Sequence, residues 1–332
     1  MKLGLLLPPK QSSQWALSKQ IGINYAIAKL NPDLTGENPP WDLVVLQNAK
    51  ARFAEAGLTL YALEGDQFDM TRIKFGLPGR DDDIAKYCQM LVNMGNCGVN
   101  ILCYNFMAGI GWFRTNTAVP TRGGAMASSF NLEIASNAPL TQYGEVSSEQ
   151  IWNAWTYFIG RVLPVAEKAG VVLSLHPDDP PLPSLCGIGR ILYSADCFRR
   201  VQAYAPSPSN KITFCQSNFM LMGEDIPGLI KEFGNKIAFA HFRDVRGVAE
   251  NFVETFHDDG PHNMPALLRS YHDAGFDGLI RPDHVPSMSS ENVKHEGGNT
   301  DLSTSIGYDM LGNLFAVGYI RGMAEALAVP ME

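Results

Sequence analysis

The stretch Val171-Val172-Leu173-Ser174-Leu175-His176-Pro177-Asp178-Asp179-Pro180-Pro181 decides how this chain folds. A short, β-prone apolar run stops at a histidine, and the prolines that follow deny both helix and ladder hydrogen bonding. The chain must leave the strand at a stiff, defined angle just beyond the imidazole. Three later runs are built alike: Lys211-Ile212-Thr213-Phe214 before Cys215, Ile237-Ala238-Phe239-Ala240 before His241, and Gly278-Leu279-Ile280-Arg281-Pro282 before Asp283. If these are successive strands of one parallel barrel, their carboxyl ends meet at one rim, where barrel enzymes keep their chemistry. Residues far apart in sequence then converge on one point.

Outward from these runs, short β-rich segments alternate with longer amphipathic ones, the pattern of a parallel sheet with crossover helices. Strands are expected at about 2–8, 23–29, 58–64, 99–106, 171–176, 211–216, 237–242 and 278–283. Helices are expected at about 41–56, 81–96, 148–169, 225–233, 262–274 and 308–328, with weaker signals near 12–20 and 195–204. Ser147 or Ser148 can cap the longest helix, with Glu149 or Gln150 in its first turn, and Gly170 ends it. No linker divides the chain. The fold class is therefore α/β, a single (β/α)8 TIM barrel forming one domain over residues 1–332. One segment breaks the alternation: 108–145, rich in Gly, Thr, Asn and Ser, reads as a long loop after the fourth strand. On the catalytic side of a barrel such a loop covers substrate, the alternative being a mobile surface excursion. Its Trp112, Phe113 and Arg114, an aromatic pair beside a guanidinium, suit a small polar anion.

Composition narrows the partners. Apolar residues are 45% and charged residues 18% of the chain, ample for a buried core, and the formal net charge is -8. An acidic chain without a Lys/Arg-rich stretch is a poor partner for nucleic acid or an anionic membrane surface. The apolar stretch after Met1 is stopped by Pro8 and Pro9, too early for a signal-peptide core. No run approaches the length of a membrane span. Six cysteines without a Cys-x-x-Cys pair, and without a secreted disulfide framework, fit a reducing cytoplasm. A small-molecule substrate is the expected partner, and a homo-oligomer is compatible with this composition.

His176, Cys215, His241 and Asp283 together form a complete coordination sphere for a borderline divalent ion, open to manganese, zinc, iron or cobalt. Asp178 or Asp179 is placed to orient a ligand histidine, or to satisfy the turn. His284 follows Asp283 at the end of its strand, where a second side chain can swing over the barrel mouth. Arg243, two residues past His241, shares that residue's orientation and is shaped to bind a carboxylate bidentately, with a structural salt bridge as the alternative.

These segments resemble the mannonate dehydratase family, xylose-isomerase-like TIM barrels that dehydrate sugar acids in hexuronate breakdown. The likeness runs through Cys103-Tyr104-Asn105-Phe106-Met107, Trp112-x-Arg114-Thr115, Leu163-Pro164-Val165-Ala166-Glu167 and, most specifically, His176-Pro177-Asp178-Asp179-Pro180-Pro181. It continues through Phe214-Cys215, Ala240-His241-Phe242-Arg243, Thr255-Phe256-His257, Arg281-Pro282-Asp283-His284 and Gly307-Tyr308. The resemblance implies a divalent ion, usually manganese, on His176, Cys215, His241 and Asp283, and His284 with Tyr308 as the acid/base pair. It implies removal of water from D-mannonate to give 2-keto-3-deoxy-D-gluconate. Arg243, Arg114, Trp112, Asn105 and His257 are then expected at the substrate. The chain departs from the family pattern in Gln216-Ser217-Asn218, where a Thr-Gly-Ser-type turn is usual, in Val285, where Gly is usual, and in a shorter middle loop.

Two other readings use the same residues. A metal-dependent sugar isomerase or epimerase on this barrel would also move a proton beside an ion-held oxygen, commonly with paired carboxylates. Here Glu64 is the conspicuous strand-end glutamate, and the His-Cys-His-Asp set disfavours a site with two Glu ligands. A catalytically inactive sugar-acid-binding barrel would retain the pocket without turnover.

Overall fold

The computed structural model describes residues 1–288 and 307–332. At its centre is a closed barrel of eight parallel strands: Lys2–Leu6, Tyr25–Ala28, Thr59–Glu64, Ile101–Tyr104, Val172–Leu175, Asn210–Cys215, Ile237–Phe242 and Leu279–Pro282. Each pairs with its neighbours in sequence, and the last closes on the first, Lys2 opposite Leu279 and Leu3 opposite Ile280. The expected (β/α)8 barrel is the fold, with strands trimmed at their ends.

Apolar residues run unbroken through these strands because both faces are buried. One face fills the barrel: Ile27, Ala62, Cys103, Phe239 and Leu279 form a small cluster of their own. The alternate positions Ala26, Leu63, Leu102, Ala240 and Ile280 join the large core between the barrel and its helices. The helices Leu43–Glu55, Arg80–Cys97, Ser148–Ala169, Ala195–Tyr204, Ile226–Phe233, Met264–Asp273 and Met310–Ala326 supply the other side of that core.

The helix Ser148–Ala169 shows how local chemistry sets these boundaries. The Ser147 side chain accepts from Gln150 N while the Gln150 side chain accepts from Ser147 N, a reciprocal cap that satisfies two otherwise orphaned donors. At the other end Gly170 takes φ 67°, which a residue without Cβ adopts freely. Its face of Ile151, Trp155, Phe158, Ile159 and Val162 is buried. It meets Arg80–Cys97 so closely that a Cβ on Gly95 would sit 2.3 Å from the Ala169 carbonyl oxygen.

The segment 108–145 is not the plain loop its composition predicts. Asn116–Pro120 and Met126–Asn131 are antiparallel strands, and they join a hairpin after the seventh barrel strand, Val245–Val248 with Asn251–Glu254, in one four-stranded sheet. Asn116–Pro120 is mostly exposed and does not alternate apolar with polar, so it carries no hydrophobic period to read. Its sheet is completed by a distant hairpin, through Phe252 opposite Phe130 with rings 5.8 Å apart. Among the described residues no helix is long and apolar enough to cross a membrane.

Candidate functional site

Residues two apart on a strand share a face. Continuing the barrel-interior positions to the carboxyl rim therefore takes Ala62 to Glu64, Cys103 to Asn105, Phe239 to His241 and Leu279 to Arg281 and Asp283. Thr213 and Ser174 are interior too, since Thr213 Oγ1 bonds Ser174 Oγ at 2.8 Å and Cys103 Sγ at 3.3 Å, and they lead to Cys215 and His176. The rim opens into a cavity of about 320 Å³, lined among others by Glu64, Asn105, Trp112, His176, Asp179, Asp283, His284 and Tyr308.

The side chains of His176, Cys215 and His241 approach one another with donor atoms within 4.8 Å. Asp283 joins from the side: its Oδ2 lies 3.6 Å from Cys215 Sγ and 3.7 Å from His241 Nδ1. Its Oδ1 is held by Arg281 at 2.9 Å and by the Tyr308 hydroxyl at 3.1 Å. His176 Nδ1 donates to the Pro177 carbonyl at 2.7 Å, which fixes the ring and leaves Nε2 as its acceptor. That role belongs to Pro177 rather than to Asp178 or Asp179. Asp178 instead accepts from Ile191 N, Leu192 N and Arg190, closing the loop after the strand.

These residues fit a divalent ion on two observations. Both His241 ring nitrogens are buried without a hydrogen-bond partner among the described residues, a costly arrangement that a cation would relieve. The surrounding charge is also short of cations: four carboxylates, Glu64, Asp179, Glu254 and Asp283, face three guanidiniums, Arg114, Arg243 and Arg281. Burial opposes ionisation of Asp283, yet His284, Arg281 and Arg243 hold its carboxyl well below the usual range. Burial likewise opposes the charge on Glu64, but bidentate Arg281, at 2.5 and 3.0 Å, lowers it to about 2.

Arg114 and Arg243, expected at the substrate, are instead inside the protein. Arg114 donates to Asp179 and to Glu254, each at 2.5 Å. Arg243 reaches Glu254 at 2.5 Å, Asp179 at 2.9 Å and the Asn218 side-chain oxygen Oδ1 at 3.0 Å, and its Nε lies 3.1 Å from Asp283. Neither guanidinium lines the cavity, because fully desolvated charges at this depth must be paired within the fold. The segment after Cys215 that departs from the family pattern serves this clamp. It begins the helix Gln216–Leu221, with Gln216 donating to the Arg243 carbonyl at 2.9 Å and Asn218 accepting from its guanidinium.

His284 stands between the clamp and the cavity. Its φ of 27°, rare for a residue with a side chain, lets it reach the mouth beside Asp283 although strand neighbours point oppositely. Its Nδ1 contacts Arg243 Nη1 and lies 3.1 Å from Glu254 Oε1, while its Nε2 lies 3.7 Å from Asp283. Trp112 and Tyr308 both meet the ring edge-on with centroids 5.3 Å away. Burial pushes the Tyr308 phenol well above its ordinary pKa, and the neighbouring Asp283 charge pushes the same way. His257 is placed elsewhere: it is buried, outside the cavity lining, with Nε2 on the Phe242 carbonyl at 2.7 Å and a pKa lowered by burial to about 4. It braces the seventh strand.

Glu254 lies in no motif that singles it out as a site residue, since a lone glutamate on a short edge hairpin looks structural, and Arg281 opens the Arg281-Pro282-Asp283-His284 segment but was given no role there. The signal for Arg281 was its place two residues before Asp283, on the same face. Glu254 had none, because the hairpin that brings it in has no local sequence pattern.

Fold and rim together define the class of protein, a (β/α)8-barrel enzyme that works on a small substrate at the carboxyl ends of its strands. The chain belongs to the D-mannonate dehydratase (UxuA) family of hydro-lyases, whose pattern matches residues 9–139 and 134–331. It is 31% identical over 324 residues to a mannonate dehydratase of Shouchella clausii, covering 87% of this chain and 89% of that one. The solved mannonate dehydratase of Streptococcus suis serotype 2 superposes with a TM-score of 0.87 at 26% identity, over 98% of this chain and 95% of the other. An L-ribulose 3-epimerase shares the fold alone, with a TM-score of 0.61 at 15% identity over 99% and 96% of the two chains. The family is metal-dependent, and this chain groups side chains able to hold an ion.

Proposed function

We propose that this chain removes water from D-mannonate to give 2-keto-3-deoxy-D-gluconate, acting as one domain in the cytoplasm. The observation that carries the reading is the meeting of His176, Asp283, His284 and Tyr308 on one cavity in a chain of this family. His176, Cys215, His241 and Asp283 would hold the ion, with manganese the first candidate and iron, cobalt or zinc compatible with the same donors. When bound, the ion supplies Lewis acidity toward the carboxylate end of the substrate.

His284 and Tyr308 carry the protons. One takes the C2 proton, and the other protonates the C3 hydroxyl as its bond to carbon breaks. The resulting enol tautomerises to the 2-keto acid, so one water leaves and C2 is oxidised at the expense of C3, with no external oxidant or reductant. The buried clamp behind His284 holds the imidazole in place, and Trp112 packs against its edge. Asp283 accepts from the Tyr308 hydroxyl and sets the phenol beside the same ring.

An epimerase reading has Glu64 at the cavity in its favour, but both carboxylate oxygens of Glu64 are engaged by Arg281. The deciding experiment incubates purified, manganese-loaded protein with C5 and C6 aldonates and measures 2-keto-3-deoxy acid. Product from D-mannonate is expected. Epimerised or unchanged D-mannonate in place of keto acid refutes the proposal.

A further inference from the structure

Asn105 lines the cavity two residues beyond Cys103, and its amide orientation follows from its neighbours rather than from packing. Its Oδ1 lies 2.8 Å from Lys74 Nζ and 3.1 Å from the backbone N of Met107. An ammonium and a peptide N–H only donate, so the atom facing both must be the oxygen, and its two lone pairs are both used. The amide is locked. Nδ2 donates to no protein group among the described residues, so the group left to the cavity is a pure donor.

Lys74 is unusual in its own right. It is 3% exposed on the short helix Thr71–Phe75, and lysines are seldom that deeply buried without a task or a partner. Asp66 supplies the partner at 2.6 Å and is itself partly exposed, so a charged pair at the surface would serve it as well. Reaching inward to Asn105 is what burial of the ammonium achieves. The wall around it is rich in carboxylates: Glu64, Asp179 and Asp283 line the cavity, while the guanidiniums of Arg114, Arg243 and Arg281 lie behind the lining and are engaged by carboxylates, so the Asn105 amide adds a donor there.

We propose that Lys74 is a positioning residue that locks the Asn105 amide so that Nδ2 donates to an oxygen of the bound sugar acid, making Asn105 a residue that selects substrate. This deepens the sugar-acid reading above and rests on it. The ligand class is an oxygen with a free lone pair, a hydroxyl or a carboxylate, and a substrate lacking that oxygen is discriminated against.

The test is a double-mutant cycle on manganese-loaded protein with Lys74→Met, Asn105→Ala and the pair, reading kcat and KM for the aldonate that the wild type turns over. If D-mannonate is not turned over, the function proposed above falls. The cycle is then read as binding of whichever C5 or C6 aldonate raises the wild-type Tm most. Each single variant should lose about tenfold in kcat/KM, mainly through KM, as expected for one neutral hydrogen bond to substrate. Lys74→Met should add nothing in the Asn105→Ala background, because the lock then has nothing to hold. Equal losses from Lys74→Met in both backgrounds would show a structural role and overturn the proposal, as would binding of no aldonate at all. Should Lys74→Met fail to fold, Asn105→Asp decides. It keeps an oxygen facing Lys74 but exchanges the donor for an ionised acceptor, so an unchanged KM overturns the proposal, and a loss of about tenfold or more in binding supports it only when an uncharged alditol competitor loses as much as the acid, which excludes charge repulsion as the cause.

Discussion

Replacing Arg243 separates an internal clamp from a substrate contact. In Arg243→Met the stem stays but Asp179 and Glu254, both 2% exposed in their side chains, lose a partner, leaving Asp179 to Arg114 and Glu254 to Arg114 and His284. Breaking a buried pair by removing one member costs about 3–5 kcal/mol. The linkage agrees: holding Glu254 at about 2 rather than 4.5 corresponds to about 3 kcal/mol, of which Arg243 supplies the largest favourable part against burial. In a chain of this size each kcal/mol moves the melting point by about 2 °C, so Tm should fall by roughly 5–10 °C. Calorimetry at matched metal loading measures this, since bound ligand itself shifts Tm. Arg243→Lys should lose a smaller part, because one ammonium cannot reach Glu254, Asp179 and Asn218 together. The pH dependence adds a sign. A carboxyl lowered in the folded state stabilises above its unfolded value and loses that contribution as pH falls through the folded one. Wild-type stability should therefore drop between about pH 4.5 and 2, and the variant should drop less steeply. A variant with unchanged Tm and a raised KM would refute the clamp and return Arg243 to the substrate.

Cys215→Ala and His241→Ala proteins that remain folded should lose most of their manganese by elemental analysis, and full metal content in either would remove that residue from the ligand set. His284→Asn and Tyr308→Phe should keep metal and fold while turnover drops by about 10²–10⁴, and solvent-deuterium exchange at C2 in the variant that retains it marks the surviving partner as the base. Gly95→Ala should destabilise by about 1–3 kcal/mol in chemical denaturation, because its methyl would press on the Ala169 carbonyl and separate two packed helices. Unchanged stability would mean that those helices move apart freely.

The barrel was legible because burial on both faces of a strand writes an unbroken apolar run, and eight such runs with intervening helices have few topologies. The positions of His176, Cys215, His241 and Asp283 at the rim followed from the same register. The partners of Arg243 and Arg114 did not, and for Arg243 the sequence left a substrate carboxylate and an internal salt bridge both open. Sequence places a guanidinium near the rim but does not say whether a carboxylate from another segment has already met it, and here Glu254 and Asp179 had. The setting of His257 was open for a related reason, since a histidine three residues past a hairpin looks the same whether it faces a cavity or a strand carbonyl. The hairpin that carries Glu254 was invisible because its pairing partner lies in another insertion.

That joint sheet has a kinetic consequence. Arg114 and Glu254 stand 140 residues apart in the chain, and Arg281 reaches a glutamate 217 residues before it. Contacts of such separation must wait for loop closure, and charged groups cannot shed their water until the opposing charge arrives. The clamp should therefore assemble last, after the barrel has collapsed around it. A nascent chain would pass through a state with a closed hydrophobic scaffold and a hydrated, unformed active rim. Competence for catalysis would then trail compaction during refolding, with return of activity lagging return of helical signal.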